Sequence, residues 1–485
     1  MGNVLGHLKP ELVWNHFEEI CKYPRPSKQE EKIAAYVVSV GERNNLTTLR
    51  DAFGNVIIKK PATKGKENLK TVVLQGHIDM VCEKNREVEH DFDNDSIIPY
   101  IDGEWVKAKG TTLGADNGIG VAAALAIIED DSFEHGPLEF LFTLDEETGL
   151  TGAANLDTEI LKASILLNLD SEEEGSLYIG CSGGKNTQAT FKFSKEASPK
   201  EHTAFEVKVA GLVGGHSGLE IHQGLGNAIK ILNRLLWHAH SNFGLKISKI
   251  EGGNKHNAIP REAFASILIP NNHVADFKKY AADYNLVVKK ENATREPNLL
   301  VSISEQSNHG FIIDESTQER LLNAIYATPH GVLKMSADIE GLVETSTNLA
   351  TIISDDKAVV IVTSQRSSVA SENQDAVDMT SSLFLIAGAE VENGDGYPGW
   401  TPNVKSEILT VFKSSYSKLF GKEPEVKAIH AGLECGIIGE KYPAMDMISF
   451  GPTMFGVHSP DERLNIPSVE PFYKLLTTVL ANIPQ

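Results

Sequence analysis

The sequence predicts an α/β fold: a mixed, largely parallel sheet flanked by helices and interrupted by an α+β insert. Three observations lead there. Runs at Val72–Leu74, Leu138–Leu144 and Ala163–Leu169 are nearly all apolar, as in parallel strands covered on both faces, and each is followed by His or acidic residues. From 185 to about 395 the strands alternate apolar with polar residues, as in Phe205-Glu206-Val207-Lys208-Val209. From about 399 the first pattern returns, with a buried-strand run at Met447–Phe450. The expected division is one discontinuous domain, 1–184 with 399–485, and a second domain, 185–398.

At 485 residues the chain is too long for one ordinary core, and 41% hydrophobic with 23% charged residues is a globular balance. The formal net charge of -21 argues against general binding of nucleic acid or of an anionic membrane surface. Cys21, Cys82, Cys181 and Cys435 are widely spaced without a C-x-x-C pair, so neither a disulfide framework nor a thiolate metal site is expected. The start, MGNVLGHLKPELVW, lacks the basic-then-apolar layout of a signal peptide, and Gly6-His7 does not complete an acylation motif. No apolar run reaches the roughly 18 residues needed to span a membrane. A cytoplasmic protein is the expectation.

In chain order, residues 10–22 read as an amphipathic helix on Leu12, Val13, Phe17 and Ile20, broken by Tyr23-Pro24-Arg25-Pro26. Ser27 and Glu30 have capping-box spacing, which predicts that Ser27 opens a second helix through Ala35 and Val38. A short strand at 55–58 precedes the one ending at His77. There, extended backbone points His77 and Asp79 the same way. Such a pair suits a metal ligand and the group that orients it, or a base beside it. A Gly/Thr loop at 110–114 enters a helix on Ile119, Val121, Ala122, Leu125 and Ile128, which puts Asp116 in the first turn. The glycines would let backbone come close to something bound.

The strand 138–144 runs straight into Asp145-Glu146-Glu147, and acids after so apolar a strand are costly unless a cation sits there. Ala163–Leu169 is followed by Asp170, whereas Glu172-Glu173-Glu174 reads as a solvated face. In the insert, glycine-rich loops carry His216 and Asn257, and Arg366 follows Val360-Ile361-Val362 with the planar fork of a carboxylate clamp. Helices are expected near 226–240, 274–284, 316–327 and 405–420, hairpins near 262–269 and 343–363, and a strand near 426–429. Val457-His458-Ser459-Pro460 adds a second candidate imidazole near the far end.

Ligands of open α/β sheets bind beyond the carboxyl ends of the strands, so His77, Asp79, Asp116, Glu146, Glu147 and Asp170 should converge. With His458, this oxygen and nitrogen donor set suits zinc or a similar borderline ion, and one bridging carboxylate could hold two ions. Two metals about 3.5–4 Å apart polarise a carbonyl and hold a hydroxide nucleophile. A further carboxylate then takes the water proton and returns it to the leaving amine, and the adjacent Glu146 and Glu147 leave one acid spare. The residues reach a co-catalytic metal hydrolase without choosing a substrate. A non-catalytic amino-acid- or metal-binding protein stays open.

The set QGHIDM, GTTLGADNGIG, TLDEETG, LNLDSEEEG and GVHSP resembles the M20 family of metallopeptidases over nearly the whole chain. GEWVKAKGTTLGADNGIG, NAIPREAFA, IHAGLECG and YPGW resemble its branch acting on Xaa-His dipeptides such as β-alanyl-L-histidine. The resemblance implies a zinc-peptidase catalytic domain and two zinc ions, with cobalt or manganese as substitutes. It assigns His77, Asp116 and Asp170 to one zinc, and Asp116, Glu147 and His458 to the other. Asp79 would tune His77 and Glu146 would be the general base, then acid. The Asp116-Asn117 peptide would be cis. The insert would be a lid and homodimerisation domain carrying His216 as oxyanion stabiliser, with Asn257 and Arg366 gripping substrate. A deacylase or tripeptidase with the same metals stays open.

Overall fold

A computed structural model describes residues 4–485; Met1–Asn3, where the acylation motif was considered, lie outside the described residues. The chain forms two units: Met1–Cys181 with Trp400–Ala428 and Leu433–Gln485, and Ser182–Gly399 with Ile429–Gly432. The sequence pattern leaves 429–432 with the first body. The structure ties it to the second, where the Ser182 amide donates to the carbonyls of Ile429 at 3.1 Å and Ala431 at 3.0 Å.

The first unit is built on an eight-stranded sheet in the order Thr47–Arg50, Val56–Lys60, Leu138–Thr143, Val72–His77, Ile165–Asn168, Asp446–Ser449, Ser176–Cys181, Glu425–Ile429. The central pairings are parallel: Val72–His77 with Leu138–Thr143 and with Ile165–Asn168, and the latter with Asp446–Ser449. Antiparallel pairings flank them, so the mixed α/β expectation holds. Helix Ala115–Glu129, almost wholly buried, packs on the strand Val72–His77 and on helix Glu11–Ile20. It explains why the central strands read as continuous apolar runs.

Those strands do bury polar groups, and a network of hydrogen bonds joins them. Gln75, Thr143, Asn168, Ser449 and Glu434 are all 0% exposed. Asn168 Nδ2 donates to Gln75 Oε1 at 2.6 Å, and Gln75 Nε2 and Thr143 Oγ1 donate to Glu434 Oε2 at 2.5 and 2.7 Å. Ser449 Oγ donates to Asn168 Oδ1 and lies 2.7 Å from Ser171 Oγ. This chain of hydrogen bonds crosses four strands just before they end, which fixes their relative register where a loose buried polar group would be expensive.

Helix Glu31–Arg43 starts where expected, but Ser27 does not cap it. Ser27 Oγ donates instead to Asp79 Oδ2 at 2.7 Å, and Glu30 Oε1 accepts from the amides of Lys28 and Asp145, both at 2.9 Å. The local capping pattern loses to partners outside the helix, chiefly the Asp79 carboxylate and the Asp145 amide, which lie far along the chain. Asp116 is likewise not in regular helix. Gly114 precedes it in the left-handed region and Asp116 itself is extended (φ -81, ψ 113).

The second unit is an antiparallel nine-stranded sheet packed by helices Ala228–Phe243, Val274–Glu291, Glu315–Ala327 and Ala370–Ile386 over a core that includes Phe191, Phe205, Leu232, Phe277 and Phe384. The expected hairpin at 343–363 is present as Val343–Ser354 with Ala358–Ser367. Near 262–269 there is one strand, Ala263–Pro270, paired with Lys246–Gly252 and His202–Ala210. Among the described residues no helix is long and apolar enough to cross a membrane.

Candidate active site

In the first unit the strand ends bring His77, Asp79, Asp116, Glu146, Glu147, Asp170 and His458 together. His77 Nε2 lies 3.1 Å from Asp116 Oδ1 and 3.4 Å from Asp170 Oδ1. His458 Nε2 lies 3.1 Å from Asp116 Oδ2 and 3.1 Å from Glu147 Oε2. The two carboxylate oxygens of Asp116 thus serve two different trios. A tetrahedral ion with bonds of about 2.0–2.1 Å has donor–donor edges of about 3.3 Å, so both trios fit a divalent cation. Glu147 Oε1 is buried without a hydrogen-bond partner. The Asp116–Asn117 peptide is cis, as the resemblance implied. Asn117 Nδ2 donates to the Leu169 carbonyl at 2.8 Å and to Asp170 Oδ1, tying the Asp116 segment to Asp170.

Asp79, 0% exposed, organises the near side. It faces His77 Nδ1 at 3.2 Å and accepts from the amides of Glu146 at 3.1 Å and Glu147 at 3.2 Å, besides Ser27. One carboxylate therefore orients both the imidazole and the acidic turn. The preceding Asp145 adopts φ +50, uncommon for a non-glycine residue, and its carboxylate accepts from the hydroxyls of Thr148 and Thr151.

The electrostatics follow from this crowding. Burial opposes charge on His77, but Asp170, Asp116 and Asp79 outweigh it and raise its pKa well above the imidazole range. Hydrogen bonds to Asp116 and Glu147 push His458 up to about 11. Burial of Asp79 is outweighed by its bonds from His77 and Ser27, which hold it near 2. Glu146 goes the other way: burial, reinforced by Asp170, Glu434 and Glu147, raises it well above the carboxylate range.

Three further charged residues are buried here; Glu434 lies within IHAGLECG, while Arg25 and Glu462 stand in no motif. Glu434 sits behind the strands with Oε1 buried and unpartnered, and burial pushes it up to about 7. Arg25 and Glu462 are each 2% exposed and bond almost entirely to backbone. Their partners are fixed by the fold, so spacing could not reveal them. Of the acids expected on a solvated face, Glu172 and Glu173 are exposed, whereas Glu174 is half-buried and accepts from Tyr416 Oη at 3.2 Å.

His216, Asn257 and Arg366 are gathered in the second unit. Strand Gly215–His216 pairs with Ala258–Ile259, and the Ser217 amide donates to the Asn257 carbonyl at 2.9 Å. Asn257 is exposed. The amides of Gly218 and Leu219 donate to His216 Nδ1 at 3.2 and 3.0 Å, which leaves the ring proton on Nε2. Burial, then the Arg366 charge, lowers His216 to about 4. Arg366 is 7% exposed, with Nη1 donating to Tyr397 Oη at 2.7 Å. His430, missed in the sequence, lies 2.7 Å from Ser346 Oγ, and burial with Arg366, His216 and His222 lowers it to about 3.

The chain is 44% identical over 480 residues to the cytosol non-specific dipeptidase of Escherichia coli (strain K12), covering 99% of each. It superposes on the crystal structure of the aminoacylhistidine dipeptidase from Vibrio alginolyticus with a TM-score of 0.92 and 43% identity, covering 99% of this chain and 98% of that one. A tripeptidase from Staphylococcus aureus, at 15% identity and TM-score 0.58 with 98% and 99% covered, shares the fold. The model for peptidase family M20/M25/M40 matches residues 73–482, and the chain belongs to that family.

Proposed function

We propose that this chain is a cytoplasmic two-metal dipeptidase that hydrolyses the peptide bond of Xaa-His dipeptides, such as β-alanyl-L-histidine, and related dipeptides. The observation that carries the reading is Asp116, whose two oxygens meet two different imidazoles, each completed by a further carboxylate. The names of the two relatives above supply the substrate class.

His77, Asp116 and Asp170 would hold one zinc ion and Asp116, Glu147 and His458 the other, with cobalt or manganese as substitutes. When bound, the pair supplies Lewis acidity at the scissile carbonyl and to a water molecule. The remaining steps belong to the chain. Asp79 at His77 Nδ1 keeps Nε2 available as a donor. Glu146, the acid left over once Glu147 is committed to His458, takes the water proton and passes it to the leaving amine. Its raised proton affinity suits a group that must do both. His216 is a neutral Nε2–H donor, the form that stabilises an oxyanion without titrating at neutral pH. Arg366 and Asn257 grip the dipeptide. The second unit acts as lid and homodimerisation domain.

Purified protein loaded with two equivalents of zinc or cobalt should hydrolyse β-alanyl-histidine and other Xaa-His dipeptides. Loaded protein inactive on all of them would sink the substrate assignment. Preference for N-acyl amino acids or tripeptides in the same panel would replace it with a deacylase or tripeptidase. Sedimentation velocity tests the dimer.

A further inference from the structure

We infer that Glu462 and Arg25 are positioning residues that hold Asp116 at its distances from His458 and His77, respectively, by gripping the Leu113–Asp116 backbone. The inference rests on the two-metal reading and deepens it.

Glu462 is 2% exposed, and its carboxylate accepts from four consecutive amides: Leu113 at 2.7 Å, Gly114 at 2.9 Å, Ala115 at 2.7 Å and Asp116 at 3.3 Å. Because the backbone is left-handed at Gly114 and extended at Asp116, these amides begin no regular helix, and the Glu462 carboxylate oxygens are what accept from them. Glu462 follows His458 by four residues, in a turn closed by its own amide on the Ser459 carbonyl at 3.0 Å. The next residues, Arg463–Asn465, pair with Trp105–Ala108. One carboxylate therefore locks the segment bearing His458 to the segment bearing Asp116, far apart in the chain.

Arg25 closes the other side. It too is 2% exposed, with Nη1 donating to the carbonyls of Ile78 at 3.2 Å and Asp79 at 2.6 Å and Nη2 to that of Gly114. Gly114 has φ +70, and a Cβ there would come within 2.3 Å of Arg25 Nη2. The guanidinium thus joins the exit of the His77 strand to the loop before Asp116. Two buried charges spent on backbone groups of Ile78–Asp79 and Leu113–Asp116 are a costly arrangement if only folding is served. Glu462 ties the loop to the segment bearing His458, whose Nε2 lies 3.1 Å from Asp116 Oδ2, and Arg25 ties it to the segment bearing His77, whose Nε2 lies 3.1 Å from Asp116 Oδ1. The trio of His77, Asp116 and Asp170 is tied further through Asn117.

The test is cation binding, not turnover. Wild-type protein stripped of metal is titrated with cobalt against a chromophoric chelator, and thermal unfolding of the stripped protein is recorded in parallel. Two equivalents are expected; fewer would mean that the two-metal reading itself is wrong. In Glu462→Gln, the amide offers one oxygen and turns an NH2 toward donors, so some loop amides lose their acceptor. The second equivalent should weaken about 10–100-fold and the first change less. Glu462→Asp, which keeps both oxygens, should recover part of the loss. Should Glu462→Gln not fold, Arg25→Lys keeps the charge but loses the fork, and should weaken the first equivalent, held by the His77 trio, more than the second. Folded variants that bind both equivalents like wild type, whatever their unfolding temperature, overturn the inference.

Discussion

His458 in the first unit and His430 in the second are the same residue type in opposite fields. His458 lies 3.1 Å from carboxylates of both Asp116 and Glu147 and is pushed up to about 11. His430 is buried near Arg366, His216 and His222, has Ser346 Oγ at 2.7 Å, and is lowered to about 3. His77 and His216 repeat the contrast. Where carboxylates crowd an imidazole, a divalent cation can replace the proton they share. Where burial and a guanidinium surround it, the ring stays neutral and offers an uncharged N–H. On the proposed function, the first unit would hold cations and the second donate hydrogen bonds.

The sharpest way to break that contrast is to remove the metal. Chelation should take dipeptide hydrolysis to background, with zinc, cobalt or manganese restoring it. Asp116→Ala should lose both equivalents in elemental analysis, since both trios use it. Activity that survives complete stripping would dismantle the first half of the comparison.

Next in size is Glu146→Gln. Initial rates on β-alanyl-histidine should fall about 10²–10⁴-fold with two metal equivalents retained. A rate near wild type would remove Glu146 from its acid–base role.

His216→Ala sharpens the second half. Loss of one oxyanion donor lowers kcat about 10²–10³-fold, and metal content should stay unchanged. Zinc lost with His216 would move that residue into the cation-holding set.

The smallest effect is on stability. His430 folds neutral with its pKa lowered to about 3, while the unfolded chain takes up a proton below about 6.5. Unfolding is therefore favoured progressively as pH falls from 6.5 toward 3, and the group contributes no slope above 7. At about 1.4 kcal/mol per pH unit, wild type should lose about 2 kcal/mol more than His430→Gln between pH 7 and 5. Denaturant midpoints at the two pH values measure it. Parallel slopes would show that His430 is protonated in the fold.

Much of the first unit was readable because its sheet makes long apolar strands whose ends face one place. Val72–His77, Leu138–Thr143 and Ile165–Asn168 announce themselves by composition, and the site residues follow each of them directly. The roles within the set came from resemblance and not from spacing. Ser27 and Glu30 misled because capping is a local pattern, while their actual bonds go to Asp79 and Asp145. Helix Ala370–Ile386 went unread because its apolar positions are too few and irregular to mark a period.

By itself the sequence determined which strands are buried on both faces, that the first body resumes after an insert, and which residues stand at the strand ends. Hydrophobic periodicity and strand-end chemistry are short-range properties, written in neighbouring residues. Only the tertiary structure decided that Glu462 and Arg25 grip the loop before Asp116, that Glu434 is buried beneath the strand ends, and that His430 meets Ser346 Oγ. Each of these depends on backbone groups or side chains brought together from distant parts of the chain, and their distances and burial exist only once the chain has folded.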